Sequence, residues 1–185
     1  FTLNKSQFDA SQALLNTIKL GDGTDGYRLD LTNFSVADAA KVASNTHLYK
    51  ISVSDTTKRI LSGWSTVQQL SDNRKIAGLV CNELANTALS IQDAYKINGI
   101  YQASLPYSYT IADTARNLIS QQNLDLGSVL ANAKSVTITD KTIPNLQVSQ
   151  AQALTSIPNL SGTPQYNIID STDNITAANG GPVLT

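Results

Sequence analysis

An internal repeat restricts the folds open to this chain more than any other feature of its sequence. Three strand-like segments align with one another: Tyr49–Thr56, Tyr107–Thr114 and Gln165–Ser171. A second set of segments lies between them at nearly the same spacing: Phe34–Val42, Leu89–Ile97 and Leu146–Leu154. Matches in two phases, with a period of about 57 residues, indicate a repeat architecture in which each unit buries its apolar face against its neighbours.

Each period divides again into two strands that end in an acidic residue. We call these residues the strand-end acids: Asp55, Glu83, Asp113, Asp140 and Asp170. Successive acids lie at nearly regular steps of about 28 residues, half of the longer period. In an earlier strand Asn33 takes this position, and Phe34 follows it directly. Leu89 and Leu146, the counterparts of Phe34, instead come six residues after Glu83 and Asp140.

The residues two and four positions before each strand-end acid are mostly apolar, and those between them are mostly small or polar. The pairs are Leu29/Leu31, Ile51/Val53, Leu79/Cys81, Tyr109/Ile111, Val136/Ile138 and Tyr166/Ile168. This alternation predicts strands with one buried face. After the second of these strands, Ile60, Trp64 and Val67 recur at helical spacing and predict a helix with a buried stripe. Ser149 is predicted to cap another short helix, which Pro158 ends.

Strand and helix that alternate about every 28 residues require parallel strands joined by crossovers. Crossovers of one hand predict an α/β fold, a right-handed solenoid-like stack of β-α units with a parallel sheet on one face. A closed or doubly wound α/β domain is the alternative fold. We expect residues 1–185 to form a single repeat domain. Its units are a divergent 1–48, then 49–106, 107–164 and a truncated 165–185.

Composition argues against several functional classes. Lys and Arg number 13 against 14 Asp and Glu, and charged residues make up 15% of the chain. So few scattered cations argue against nucleic acid as a partner, and no apolar run is long enough for a membrane span. The single cysteine, Cys81, excludes a disulfide framework, and the single histidine, His47, leaves little general-base chemistry. We therefore expect no enzyme and no catalytic residues.

The strand-end acids allow two interpretations. The favoured one is helix capping, in which the acid or the hydroxyl after it accepts N–H groups of the following helix. The alternative is a column of neighbouring carboxylates that binds calcium, through Asp55, Asp113, Asp140 and Asp170. The glycine-rich segment 21–26 offers Asp22 and Asp25 as further calcium candidates, although a plain turn is favoured there. Calcium is the only cofactor we consider, and we do not expect it to be required.

Other side chains invite functional interpretations that we do not favour. Cys81 occupies an inward strand position and is predicted to be a core residue, and Trp64 likewise. His47 is expected in a surface loop. Four tyrosines lie close together in the sequence, and packing is favoured over a ligand-binding patch for them: Tyr95, Tyr101, Tyr107 and Tyr109.

Two segments resemble repeats of very large secreted bacterial proteins. They are Tyr109–Leu118 (YTIADTARNL) and Val148–Leu154 (VSQAQAL), and Ser135–Asp140 (SVTITD) also fits. The chain resembles type I-secreted adhesins, surface-layer-like proteins and repeats-in-toxin proteins over about residues 27–176. This resemblance implies an extracellular chain with a structural or adhesive role, and it brings no catalytic residues.

These inferences combine into one functional expectation. We expect a structural or adhesive module of a bacterial secreted or cell-surface protein, acting by homotypic self-association or surface attachment. Both ends look uncapped, and an exposed parallel strand invites stacking into filaments or lattices. The alternative is a horseshoe module that binds a glycan or a host or cell-surface protein.

Overall fold

Strands and helices alternate along the chain in the computed structural model, which describes residues 1–18, 26–100, 109–120 and 126–178. Every strand pair within these ranges is parallel. The predicted α/β class with parallel strands is therefore confirmed. The chain divides into two compact bodies, Phe1–Glu83 and Leu84–Thr185.

The first body holds a parallel sheet in the order β1-β2-β3-β4. Its elements are β1 (Thr2–Asn4), α1 (Lys5–Leu15), β2 (Leu29–Phe34), α2 (Val36–Val42), β3 (Leu48–Thr56), α3 (Thr57–Ser62), α4 (Trp64–Asp72) and β4 (Ile76–Asn82). Neighbouring strands of a parallel sheet need a crossover between them, and helices supply it here.

The second body holds two smaller parallel sheets, β5-β6-β7 and β8-β9. After a 3₁₀ turn at Leu84–Asn86, its elements are β5 (Ala88–Leu89), α5 (Ile91–Ile100), β6 (Tyr109–Asp113), α6 (Ala115–Ser120), α7 (Leu126–Ala131), β7 (Ala133–Ile138), β8 (Asn145–Leu146), α8 (Val148–Thr155), β9 (Asn167–Ile168) and α9 (Thr172–Ala177). An isolated parallel bridge joins Val136 to Leu160.

The expectation of one continuous sheet is wrong, because the described strands form three sheets. The reason is the longer spacing already visible in the later copies of the repeat. Where Phe34 follows Asn33 directly, β2 is one strand and joins β1 and β3 in a single sheet. Where residues intervene, the strand is cut in two, and each piece pairs elsewhere: β4 with β3 but β5 with β6, and β7 with β6 but β8 with β9.

The predicted inward positions of the strands form the core. The residues exposed by 4% or less are Leu29, Leu31, Ile51, Val53, Leu79, Cys81, Tyr109, Ile111 and Val136. Ile138, Tyr166 and Ile168 are only half-buried. Full burial of an aliphatic side chain contributes about 1.5–3 kcal/mol. The one-sided burial is thus confirmed for β2, β3, β4 and β6, whereas the end of β7 and the last strand are partly uncovered.

The helix predicted after β3 is interrupted at Gly63, which ends α3 and precedes α4. A Cβ at Gly63 would overlap Cγ1 of Val36, so α2 approaches the chain too closely there for any side chain. Ile60 and Val67 are fully buried as predicted. Trp64, which was predicted to be a core residue, is only half-buried. It is the first residue of α4 and does not continue the buried stripe of α3.

Candidate functional site: the strand-end acids

Four of the strand-end acids bind a helix that lies earlier in the chain. In each case one carboxylate oxygen, Oδ2, accepts the backbone N–H of the first residue of that helix. The N···O distances are 3.2 Å from Val36 to Asp55, 3.0 Å from Ile91 to Asp113, 2.6 Å from Ala115 to Asp140 and 3.0 Å from Val148 to Asp170. A carboxylate stabilises this helix end, because its N–H groups lack intrahelical partners and carry partial positive charge.

The hydroxyl after the acid caps the helix that follows. Thr56, Thr114 and Ser171 accept the N–H group three residues ahead, at 3.3, 3.2 and 3.3 Å. The capping prediction is therefore right for the hydroxyls and needs correction for the acids, whose Oδ2 binds the start of an earlier helix. This long-range contact joins residues 19 to 25 positions apart and has no local sequence signature.

In three of these four acids the second carboxylate oxygen, Oδ1, also accepts a hydrogen bond. It accepts the N–H of the next residue at 2.8 Å in Asp55, Asp113 and Asp170. The residue four positions ahead adds a further contact, Arg59 at 3.5 Å, Asn117 at 2.7 Å and Asn174 at 2.8 Å.

These hydrogen bonds also affect the titration of Asp170. The amide of Asn174 lowers the pKa of the Asp170 carboxyl most, and the backbone N–H groups of Val148 and Ser171 add to this shift. Hydrogen bonds to the charged form favour it, so the acid at this position is held as a carboxylate.

The alternative interpretation, a column of neighbouring carboxylates, does not match the register of β3 with β4 or of β6 with β7, the two pairs in which both strands lead to an acid. Asp55 lies opposite Cys81 and Asp113 opposite Ile138. Glu83 and Asp140 follow two residues later along their strands. A slip of two residues leaves the same side chains buried, so the alternation in the sequence cannot determine this register.

Glu83 and Asn33 differ from the aspartates at the strand-end position. Their φ angles are 66° and 59°, in the left-handed region that few residues other than glycine and asparagine adopt readily. The shared position therefore has two backbone conformations.

Asp22 and Asp25 lie outside the described residues. Within the described ranges, no group of three or more His, Cys, Asp and Glu side chains is placed to hold a metal ion. Instead, backbone N–H groups and nearby side chains contact the carboxylates of Asp55, Asp113 and Asp170.

A second recurring arrangement escaped the sequence analysis. Ser35 Oγ accepts the N–H of Asp38 at 3.1 Å and donates to its carboxylate at 2.8 Å, and Lys41 Nζ donates to the same carboxylate at 2.8 Å. Ser90, Asp93 and Lys96 repeat these contacts at 3.1, 2.9 and 3.0 Å. The Ser-x-x-Asp pattern, a variant of the capping box, is the signal that would have found both.

Two open clefts flank the strand-end acids at matching positions. The one beside Asp55, between α2 and α3, has a volume of about 400 Å³ and is lined mainly by small side chains such as Ala37 and Ala40. The one beside Asp170, between α8 and α9, measures about 340 Å³, and Gln152 takes the place of Ala40. Since the acid in each cleft already bonds to backbone, neither cleft presents an unused carboxylate.

The remaining candidates have structural surroundings. His47 is half-buried, its ring stacks on Tyr27 with centroids 4.1 Å apart, and its Nδ1 lies 3.3 Å from the Tyr27 carbonyl oxygen. Packing, the favoured role of the tyrosines, is confirmed at Tyr109, which is buried and donates to the Val129 carbonyl at 2.7 Å. Burial raises the pKa of Tyr109 to about 12. Tyr95 is half-buried.

The other two tyrosines, Tyr101 and Tyr107, lie outside the described residues. Cys81 is buried as predicted. No helix in the described part of the chain is long and apolar enough to cross a membrane.

The fold and the site together define an α/β protein with parallel sheets whose strand-end carboxylates hold helix ends. Comparison of the chain with protein-family models, curated proteins and solved structures finds no match.

Proposed function

We propose that the chain is a structural module of a bacterial secreted or cell-surface protein, without a catalytic role, and that it acts by joining copies end to end. One observation carries this proposal. The last strand and helix, β9 and α9, partly expose residues whose counterparts earlier in the chain are buried.

The comparison is position by position. Ile168 is half-buried, but its counterparts Ile111 and Val53 are fully buried. Ile175 is half-buried, whereas Leu118 at the matching position is 3% exposed. Helix α9 contains no buried residue. The same apolar positions that stabilise the earlier strands and helices are thus left available to a partner.

The edges of the sheets favour a second copy as that partner. Among the described strands, β9 pairs with β8 alone and β1 pairs with β2 alone. The inward residue of β1, Leu3, is half-buried like Ile168. By contrast, Leu79 of β4 and Leu89 of β5 are 2% exposed, although these strands also pair on one side. A parallel pairing of β9 with β1 of the next copy would bury the open edges of both strands and would cover Ile168 and Leu3.

Such a contact joins two different surfaces and therefore propagates into filaments rather than closing a dimer. The proposal includes a right-handed, solenoid-like course of β-α units, interrupted where the intervening segments divide the strands. It is supported by the recurring acid-to-helix hydrogen bonds and by the handedness of β-α-β crossovers. The extracellular bacterial setting is supported by the resemblance of Tyr109–Leu118 and Val148–Leu154 alone.

Paired surface variants test the proposal. Ile168→Lys disrupts the contact surface at β9 (the β9 face), and Leu3→Lys disrupts the one at β1 (the β1 face). Each variant alone should therefore be monomeric in sedimentation velocity at concentrations where the unmodified chain assembles. A mixture of the two should stop at dimers, because one intact face of each kind remains. Val80→Lys is the matched control, since Val80 is 42% exposed on β4 and lies outside both faces.

A monomeric unmodified chain at millimolar concentration, by light scattering, would overturn the proposal. So would equal effects of Ile168→Lys and Val80→Lys, or continued assembly of the mixture beyond dimers.

A further inference from the structure

The outward face of the four-stranded sheet, opposite its core, carries mainly small neutral side chains. Ser52, Ser54 and Thr56 alternate with buried residues along β3, and Thr32 lies on the same face of β2. Hydroxyl groups both donate and accept hydrogen bonds, so this face suits a ligand rich in hydroxyl groups.

At the amino-terminal end of this face, cations surround one exposed aromatic ring. A register shift between β2 and β3 pairs Leu29 with Leu48 but Asp30 with Lys50, so Tyr49 is left over in the ladder. The Tyr49 side chain is 49% exposed. Its ring centroid lies 5.1 Å from the Arg28 guanidinium carbon and 5.8 Å from Lys50 Nζ.

One of the two cations, Lys50, is held by a hydrogen bond to the backbone. Lys50 Nζ donates to the backbone carbonyl oxygen of Arg74 at 2.7 Å. Arg28 is exposed at the start of β2. The ladder places one acid, Asp30, opposite Lys50. Two cations, Arg28 and Lys50, against one carboxylate leave an excess of positive charge beside the ring.

We propose that Tyr49, Arg28 and Lys50 form a binding site for a saccharide chain that carries carboxylate groups. The cations would pair with the carboxylates, and the Tyr49 ring would cover an apolar sugar face. The hydroxyl groups of Ser52 and Ser54 would contact sugar hydroxyls. An acidic peptide is the less favoured ligand, because peptides bind at sheet edges or in grooves, whereas this surface is the face of a sheet. The site lies within the first body and is independent of end-to-end assembly.

Binding of oligogalacturonate to the full chain, measured by calorimetry at low salt, tests the site. Neutral oligosaccharide and poly-glutamate serve as comparison ligands. Tyr49→Ala should weaken binding about tenfold, and Arg28→Gln and Lys50→Gln about fivefold each, with a smaller salt dependence. Tyr49→Phe should restore most of the affinity that Tyr49→Ala loses, because the ring is retained.

Lys58→Gln is the control, because Lys58 is an exposed cation on α3. Absence of binding, equal losses for Lys58→Gln and Arg28→Gln, or affinity that ignores Tyr49→Ala would each overturn the proposal. Poly-glutamate binding as tightly as oligogalacturonate would also overturn it and would assign the site to acidic peptides. Since Arg28 is exposed, Arg28→Gln keeps the test valid if Tyr49→Ala fails to fold.

Discussion

Replacing Asp113 by alanine should destabilise the second body by removing the contact between β6 and the start of α5. The carboxylate is 8% exposed and accepts the N–H of Ile91 at 3.0 Å. It also accepts the N–H of Thr114 at 2.8 Å and the amide of Asn117 at 2.7 Å. Of these three donors, the Thr114 N–H and the Asn117 amide are only part-buried and can bond to water, but the Ile91 N–H is buried.

The magnitude follows from this difference. A buried donor left without an acceptor costs about 1–3 kcal/mol, and hydrogen bonds to charged groups contribute about 1.5–3 kcal/mol. We therefore expect a loss of about 3 kcal/mol for Asp113→Ala, near the top of both ranges. Asp113→Asn should lose less, about 2 kcal/mol, because one amide oxygen can still accept while the NH₂ group opposes the Ile91 N–H.

Urea unfolding followed by circular dichroism measures the loss, and amide hydrogen exchange locates it. A loss of about 3 kcal/mol should speed exchange of the Ile91 amide about 100-fold. Asp72→Ala is the control, since Asp72 is exposed and contacts only the Gln68 side chain among the described residues; it should change stability by less than about 0.5 kcal/mol. Equal effects of the two substitutions, or an unchanged Ile91 amide, would refute the reasoning.

Three further predictions concern packing and pH. Gly63→Ala should lower the free energy of unfolding in urea by about 1–3 kcal/mol, because its Cβ would overlap a methyl group of Val36 in α2. Gly99→Ala, with open space around the new Cβ, should stabilise α5 by about 0.5–1 kcal/mol. Equal effects of the two substitutions would contradict the close approach of α2 to Gly63. Burial raises the pKa of Tyr109 from 10.0 to about 12, so the folded state should lose about 3 kcal/mol of stability as the pH rises from 10 to 12. Tyr109→Phe should abolish this alkaline loss, and an unchanged alkaline transition would contradict the prediction. The hydrogen bond from Lys41 lowers the pKa of Asp38 from 3.8, so the carboxylate stabilises the folded state above about pH 4 and this stabilisation is lost as the pH falls further. Asp38→Asn should therefore flatten the acid side of the plot of stability against pH. An identical acid side for the variant would contradict the assignment.

The alternation of apolar residues was sufficient to predict the strands and their buried face. Ile51 and Val53, for example, lie at predicted inward positions and are fully buried. Period-two patterning determines which face is buried, but it leaves a shift of two residues undetermined. For that reason the pairing of Asp55 with Cys81 could not be predicted.

The sequence contained the signal for the division into three sheets, but the sequence analysis predicted one continuous sheet. The segment between Glu83 and Leu89 interrupts a strand that is continuous from Leu29 to Phe34 in the earlier copy. The break at Gly63 depends on contact with α2, a tertiary feature that helical spacing does not encode.

The candidate site could be located but its contacts could not. The sequence identified the strand-end acids and the hydroxyl caps, because Asp-Thr and Asp-Ser pairs are local signals. It did not identify Val36 or Ile91 as partners, because any residue other than proline supplies a backbone N–H. Tyr49 was also missed as a surface residue, since its exposure follows from a register shift in the ladder.

Four strand-end carboxylates accept backbone N–H groups at the starts of helices, and we expect them to do so without bound calcium. Thermal unfolding in millimolar calcium and again in excess chelator tests this most directly, with Asp113→Asn measured in parallel. Calcium at a hundredfold excess over its dissociation constant would stabilise the folded state by about 2.7 kcal/mol. We predict the same melting temperature in both conditions. A rise of several degrees with calcium that Asp113→Asn abolishes would contradict the account.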